Sequence, residues 1–255
     1  MNPATIAALT PFLLVFCRSA AFLYSAPLVG DHGVPGRLRV ATAVMMAAGL
    51  GSAAPSPSAG APGNLDALFA HIPLELLIGL GVGLLLKVAL ASVEAGGQLV
   101  GVHLELSFAA SYDPRLAEEA LPTRRIAAVL LGVTFLSAGG LEASIAFVAR
   151  ARASEQLLTS IGSALFTAGD QVMRGALSIC GPVLLATLVA NVAVGIAGRA
   201  SPALNVFSVM LAGTLLIGGF AISASAPMTC SAIKRVAEGA ISRVLTLPHA
   251  RPPLR

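Results

Sequence analysis

The sequence predicts an all-α membrane protein built from helical hairpins, and three properties of its composition lead to that fold class. Of its 255 residues, 56% are hydrophobic and only 11% are charged, whereas soluble domains carry about 25% charged residues. The mean hydropathy is +0.86, and the apolar runs are long enough to cross a bilayer as helices, which satisfy their own backbone hydrogen bonds. Aromatic residues reach only 5%, with no Trp and two Tyr, so interfacial aromatic belts are nearly absent.

The scarcity of aromatic residues bears on what covers the hydrophobic surface. In a six-span topology, Lys and Arg are divided almost evenly between the two sides, so the positive-inside rule gives no orientation. Both features suggest surface that packs against other subunits instead of crossing lipid in the ordinary way. The first apolar run lacks a basic segment before it, and we expect it to remain in the mature protein.

Composition also excludes several classes of function. The net charge of +4 is spread along the chain and forms no basic cluster of the kind that binds nucleic acid. We expect Cys17, Cys180 and Cys230 to be free, buried thiols, because they are odd in number, far apart and set in apolar segments. No spacing predicts a metal site, and neither lysine lies in a phosphate-binding loop.

The elements follow from the pattern of apolar runs. We predict six runs, with a linker at 51–63 (GSAAPSPSAGAPG) after the second. Between the fourth and fifth runs, apolar residues at helical spacing over 155–174 predict an amphipathic helix. Arg199 marks the tip of a final hairpin, Ser201 and Pro202 start its second helix, and Pro227 is predicted to end it. The runs cover residues 3–30, 37–54, 72–93, 126–148, 175–198 and 200–233.

Charges inside apolar runs need a structural or a functional reason. A charge at the bilayer centre costs at least about 2.5–3.5 kcal/mol. Structural pairing is the interpretation we prefer, and a small-solute secondary transporter using Glu75, Lys87 and Glu142 is the alternative. The third run also contains Gly79 and Gly83, whose spacing lets another helix approach closely. The charges concerned are Arg18, Glu75, Lys87 and Glu142.

The stretch 96–114 is predicted to be a helix end and a loop that form a pore element. It begins with glycines spaced for helix contact and ends in a hydroxyl-rich segment with an Asp113-Pro114 pair. His103 and Glu105 match half of a zinc-deaminase signature, but the Pro-Cys-x-x-Cys half does not exist in the chain. An intramembrane enzyme using His103 is therefore a weak competitor, and we expect no cofactor.

Several motifs, taken in order, resemble the FliR/SctT (SpaR) family of flagellar and injectisome export-gate proteins. After Pro27, the matching stretches are VPGRLR (34–39), ELLIGLGVG (75–83), AGGQLVG (95–101), LSFA (106–109) with Asp113-Pro114, and RASPALNVF (199–207). None is specific alone, but their order and spacing run along nearly the whole chain.

The resemblance implies a structural and gating subunit of a type III protein-export channel in the bacterial inner membrane, without catalytic activity. FliP-like and FliQ-like subunits would complete a helical ring, an FlhB-like protein would contact its mouth, and unfolded substrates would pass through. It implies a plug loop at 104–114, formed by Leu106, Ser107, Phe108, Tyr112, Asp113 and Pro114. It also implies helix-packing and subunit contacts at Glu75, Gly79, Gly83, Gly97, Gly101, Arg199, Pro202, Asn205 and Phe207.

The predicted organisation is then a hydrophobic hairpin region over 1–233, which contains the C-terminal hairpin at 176–233, and a basic amphipathic cytoplasmic tail over 234–255. Two plug positions depart from the family's pattern. Glu105 stands where the family commonly has Gly, and Ser111 where a second aromatic residue is common.

Overall fold

The computed structural model describes residues 3–27, 34–51, 65–106, 121–151, 154–200 and 206–248. Within these ranges the regular structure is α-helix, and no strand occurs there. The predicted all-α fold class is therefore confirmed. The helices are α1 (Pro3–Ser25), α2 (Gly36–Gly51), α3 (Leu65–His103), α4 (Pro122–Ser137), α5 (Gly140–Arg150), α6 (Glu155–Ala200) and α7 (Val206–Thr246).

Three of the described helices are long and apolar enough to cross a membrane, at His71–His103, Glu155–Arg199 and Val209–Thr246. Counting α4 and α5 as one broken span raises the number to four. Their burial differs greatly: 61% of the most apolar stretch of α3 is buried, against 28% for α6 and 11% for α7. Helix α3 is thus the most enclosed of the three.

The chain divides into two compact units. The first comprises Met1–Ala89, Leu136–Asp170 and Glu238–Arg255, and the second comprises Leu90–Phe135 and Gln171–Ala237. Helices α3, α6 and α7 each contribute residues to both units. Fully buried residues of the first unit include Ile78, Leu85, Leu157, Ile161 and Val244. In the second unit, Val100, Leu104, Cys180 and Val183 form a buried cluster.

Two predicted helix boundaries are wrong. In apolar surroundings a long helix continues through residues that would end a helix in water. Helix α7 continues through Pro227 to Thr246, and it includes much of the predicted tail. Helix α6 runs without interruption from Glu155 to Ala200, so the amphipathic segment 155–174 and the fifth run form one helix. Burial within that segment still follows the predicted face, since Leu157, Ile161 and Ala168 are buried.

The fourth run, predicted as one helix over 126–148, is two helices. Gly139 adopts φ +73°, and its N–H donates to the Leu136 carbonyl at 3.1 Å. Such a left-handed residue ends one helix, and only glycine adopts that conformation without steric cost. Helix α5 therefore begins at Gly140 as a separate helix. Glu142 lies in its first turn, where the helix dipole stabilises a negative charge.

The third run extends beyond both of its predicted ends, 72 and 93, to Leu65 and His103. The cysteines are free thiols as predicted, but only Cys180 is buried; Cys17 is half-buried and Cys230 is exposed. The linker at 52–63, most of the predicted plug loop and the hairpin tip at 201–205 lie outside the described residues.

Candidate functional site

A buried ion pair joins α1 to α3 in the first unit. The Nε atom of Arg18 donates to Oε2 of Glu75 at 2.6 Å, and both side chains are only 6% exposed. This is the structural pairing preferred above for these two charges. Sequence reasoning missed the partnership itself, because the residues lie 57 positions apart.

The other side of the Arg18 guanidinium binds the end of α5. Its Nη1 atom donates to the Val148 carbonyl at 2.9 Å and also to the Ala151 carbonyl. Carbonyls at a helix C-terminus lack partners within the helix and carry partial negative charge. Arg18 therefore holds three helices together, and its positive charge is matched by one carboxylate and two carbonyl oxygens.

Gly79 and Gly83 lie one turn apart on the α3 face that contacts α1. A Cβ atom at Gly79 would overlap the Arg18 carbonyl oxygen and lie 3.1 Å from the Ala21 Cβ. At Gly83 it would lie 2.9 Å from the Ala26 nitrogen and also overlap the Ser25 hydroxyl. The helices approach closely enough that no side chain fits between them.

In the second unit, adjacent glycines of α3 contact different helices. A Cβ at Gly96 would lie 2.9 Å from the Ile179 Cβ of α6, and one at Gly97 would lie 2.7 Å from the Ala127 Cβ of α4. Gly101 lies against Leu121 and Thr123 at the start of α4. Successive helical residues point about 100° apart, so a Gly-Gly pair lets two helices approach at one level. Sequence reasoning placed a glycine helix contact at the start of this stretch and named Gly97 and Gly101, but it did not assign Gly96 and Gly97 to different helices.

A second ion pair lies at this end of α3. Nη2 of Arg124 donates to Oε2 of Glu94 at 3.0 Å, with the two side chains 46% and 36% exposed. Lys87, which shares a helical face with Glu94, is exposed on α3, and Glu142 is exposed on α5.

Helix α3 ends in a hydrogen-bonded cap that leads into the predicted plug. The Leu106 N–H donates to the Gly101 carbonyl at 3.1 Å, and the Glu105 N–H donates to the Val102 carbonyl at 3.0 Å. Glu105 has φ +60°. This is a Schellman motif, in which the left-handed position is usually Gly. Glu105 therefore holds a backbone conformation that glycine would adopt without steric cost.

Leu106, the first predicted plug residue, packs against the buried cluster around Val100 and Leu104. A hydrophobic contact of this kind commonly accompanies the Schellman cap. It gives the segment that follows a fixed starting point. The remaining predicted plug residues, Ser107, Phe108, Tyr112, Asp113 and Pro114, lie outside the described residues.

The α6 and α7 segments of the second unit pack as an antiparallel hairpin. A Cβ on Gly175 would lie 3.7 Å from Val236, one on Gly218 would lie 3.3 Å from Thr187, and one on Gly213 would lie 4.0 Å from Val194. Arg199 is exposed in the last turn of α6 and Phe207 lies in the first turn of α7, while Pro202 and Asn205 fall outside the described residues.

Among the described residues, no group of three or more His, Cys, Asp or Glu side chains could hold a metal ion. The features that stand out are instead helix contacts: glycine faces, a buried charge pair and the cap before the predicted plug.

Comparison with known proteins identifies the family of this chain. The sequence profile of the family described as "Bacterial export proteins, family 1" matches residues 9–240, which include all of α2 to α6 and most of α1 and α7. The chain belongs to this family.

Individual relatives agree with the profile. The chain is 27% identical over 212 residues to the flagellar biosynthetic protein FliR of Caulobacter vibrioides, covering 80% of this chain and 84% of that protein. It is 27% identical over 221 residues to FliR of Escherichia coli, covering 83% and 82%. With FliR of Bacillus subtilis it shares 26% over 213 residues, covering 78% and 80%. The chain is thus an α-helical membrane protein of the bacterial export family and is related to flagellar FliR, as its sequence predicts.

Proposed function

We propose that this chain is a structural and gating subunit of the flagellar type III protein-export apparatus in the bacterial inner membrane, and that it has no catalytic activity. The observation that carries the proposal is the family match across residues 9–240. The FliR relatives support a flagellar system over an injectisome.

Large apolar side chains on the outside of the helices support a role within an assembly. Met45, Phe166, Leu216 and Phe220 are between 73% and 84% exposed. Contiguous exposed apolar surface marks contact with protein or membrane. We propose that FliP-like and FliQ-like subunits cover much of this surface in a hetero-oligomeric ring, and that an FlhB-like protein contacts the same assembly.

The gating role is assigned to the segment 106–114. Helix α3 supplies a fixed stem through the Schellman cap at Glu105 and the packing of Leu106. In the proposal, Phe108 and its neighbours form an apolar constriction that excludes water and ions at rest, and unfolded substrates displace it.

The transporter alternative is not supported. Glu75 is held by Arg18 and buried at the α1–α3 contact, whereas Lys87 and Glu142 are exposed on other parts of their helices. Coupled transport requires charged groups that bind a substrate or ion near one midplane site. A buried carboxylate that is paired with a buried guanidinium fits a structural role instead.

Genetic complementation tests the assignment. A strain that lacks this chain is expected to lose swimming motility and to stop secreting the flagellar filament protein into the medium, and a plasmid copy should restore both. Normal secretion in the deletion strain would contradict the proposal.

Conductance tests the gate. Phe108→Ala should leave assembly of the complex unchanged but raise ion leakage through the closed channel in planar bilayers, because the apolar constriction is lost. Phe166→Ala, on the exposed face of α6, is the comparison variant for a subunit contact: it should lower the yield of assembled complex without raising the leakage of the complexes that form. Equal conductance of the wild-type and Phe108→Ala complexes would contradict the gating role.

A further inference from the structure

The outward face of α3 changes from apolar to polar along the helix. Leu76 and Leu80, in the first unit, are 40% and 48% exposed. Eighteen residues make about five turns of α-helix, so Glu94 follows Leu76, and Gln98 follows Leu80, on the same face of the second unit. Lys87, which is exposed, is the first polar residue on this face. The change of character lies within one continuous helix, and it calls for a change in what the helix contacts.

The polar part of this face carries an ion pair and an amide. Arg124, at the start of α4, donates to Glu94 at 3.0 Å, and the two side chains are 46% and 36% exposed. One turn beyond Glu94, Oε1 of Gln98 has no hydrogen-bond partner in the described part of the chain. Val102, a further turn along, is 47% exposed. We call the face formed by these four residues the polar face of α3.

Lipid does not suit the polar face. Its α3 residues lie within the candidate membrane span His71–His103. Charged side chains at such a depth face the interior of a helix bundle or a water-filled cavity, because hydrocarbon does not solvate them. An amide oxygen without a partner is also unfavourable in hydrocarbon.

A tightly packed partner helix does not suit it either. Glu94 and Arg124 already neutralise each other, so they leave no unmatched charge for a partner to pair with. Covering both side chains would remove them from water, and the cost of desolvating an ion pair can exceed the attraction within it. Water satisfies both the ion pair and the amide.

We propose that the polar face of α3 lines the aqueous conduit through which unfolded polypeptides pass. This inference rests on the proposed export function, and it adds which face of the chain is turned toward the substrate. The face leads along α3 to the cap at Glu105, where the predicted plug begins. Its ion pair carries no net charge, so it neither attracts nor repels charged substrate segments strongly.

The hairpin of the second unit provides the contrasting surface. No Asp, Glu, Lys or Arg occurs at positions 175–198 or 206–233. On α6, Val189 and Ile196 are 68% and 66% exposed. Exposed apolar surface of this kind fits contact with partner subunits or lipid. These two positions therefore serve as matched controls for the polar face.

Cysteine accessibility tests the proposal. Cys17, Cys180 and Cys230 are first replaced by alanine in the full chain, and this background must still support secretion. Single cysteines are then introduced by Gln98→Cys and Val102→Cys on the polar face, and by Val189→Cys and Ile196→Cys on α6. Each variant is purified with the subunits that accompany it. The probe is a small anionic methanethiosulfonate, which reacts with the thiolate form of cysteine.

The reaction rates should separate the two surfaces. Relative to the same chain denatured in dodecyl sulfate, Gln98→Cys and Val102→Cys should react about a hundredfold faster than the two α6 variants, because apolar surroundings exclude both the thiolate and the anionic reagent. An export substrate that is fused to a stably folded domain, and so halts in the conduit, should slow the reaction at the polar face. It should leave the reaction of Ile196→Cys unchanged.

A second pair of variants does not depend on the cysteine-free background. Val102→Lys and Val189→Lys place the same charge at two exposed valines of the native chain. Water accommodates the new charge on the polar face, so Val102→Lys should keep the wild-type amount of assembled complex. Val189→Lys places the charge on the apolar surface and should lower that amount.

Three results would overturn the proposal. Slow reaction of Gln98→Cys and Val102→Cys, equal to that of the α6 variants, would mean that a partner subunit covers the polar face. Fast reaction that the halted substrate does not slow would mean that the face meets water outside the conduit. Equal loss of complex in the two lysine variants would mean that the faces do not differ. All three leave the export role intact, because the complementation assay measures it separately.

Discussion

The two ion pairs of α3 differ in how far each is buried. Arg18 and Glu75 are 2.6 Å apart with side chains 6% exposed, whereas Arg124 and Glu94 are 3.0 Å apart with side chains 46% and 36% exposed. Both pairs join an arginine to a glutamate at similar distance, but the first pair is buried in protein and the second is exposed to solvent. A buried charge that loses its partner cannot be rescued by water, but an exposed one can. We expect stability to depend strongly on the first pair and weakly on the second.

The largest effect should come from Arg18→Met. It leaves Glu75 buried without a counter-charge and removes the donor to the Val148 carbonyl. Loss of one partner of a buried pair typically costs about 3–5 kcal/mol. The measurement is the free energy of unfolding in mixed detergent micelles, and a loss below about 1 kcal/mol would show that water reaches Glu75.

The glycine face next to this pair should come second. Gly79→Ala places a Cβ against the Arg18 carbonyl, and overpacking of this kind costs about 1–3 kcal/mol. Gly162→Ala is the matched control, because nothing lies within 4 Å of its Cβ position, and helix propensity should make it neutral or slightly stabilising. Equal effects of the two substitutions on thermal unfolding would contradict the close contact of α1 and α3.

The cap before the predicted plug gives a smaller effect of the opposite sign. Glu105 occupies the left-handed region, which disfavours residues with a Cβ by about 1–2 kcal/mol. Glu105→Gly should therefore stabilise the protein by about 0.5–1 kcal/mol after the entropy of glycine is subtracted. Glu105→Ala keeps the Cβ and should give no comparable gain; equal unfolding temperatures for both variants would argue against the cap.

The exposed pair should matter least. Glu94→Ala breaks the contact with Arg124, and exposed pairs contribute about 0.2–1 kcal/mol. That difference should shrink further as salt concentration rises, because ions screen exposed charges. A loss as large as that of Arg18→Met, unchanged by salt, would remove the distinction between the two pairs.

Local sequence patterns predicted much of this fold but few of the contacts between residues that are far apart in the sequence. Gly79 and Gly83 could be recognised as a helix contact from spacing, and Arg18 and Glu75 as charges that need a structural reason. That these two meet each other could not be predicted, because neighbours 57 positions apart are set by tertiary packing. For the same reason the separate contacts of Gly96 and Gly97 could not be predicted: only the positions of α4 and α6 distinguish the roles of two adjacent glycines.

The misplaced boundaries have a common physical cause. Proline usually ends a helix in water, and the change from an amphipathic to an uncharged pattern near residue 175 suggested two separate helices, yet α7 continues through Pro227 and α6 continues through residue 175. In an apolar environment an open helix end exposes unsatisfied backbone groups, so continuing the helix is favoured even across a proline. Gly139 did break its run, because its left-handed conformation closes one helix and starts the next.

The most direct test of a structural role for the buried charges uses apolar replacement of both partners. A well-packed apolar pair often substitutes for a buried ion pair without loss of stability, whereas removal of a single partner is strongly destabilising. In a strain that lacks the chromosomal copy, we expect Arg18→Met and Glu75→Leu alone to abolish secretion of the flagellar filament protein, and the double variant to restore much of it. If the double variant reached wild-type levels in the membrane yet secreted nothing, the Glu75 charge itself would be required, and the structural account would be contradicted.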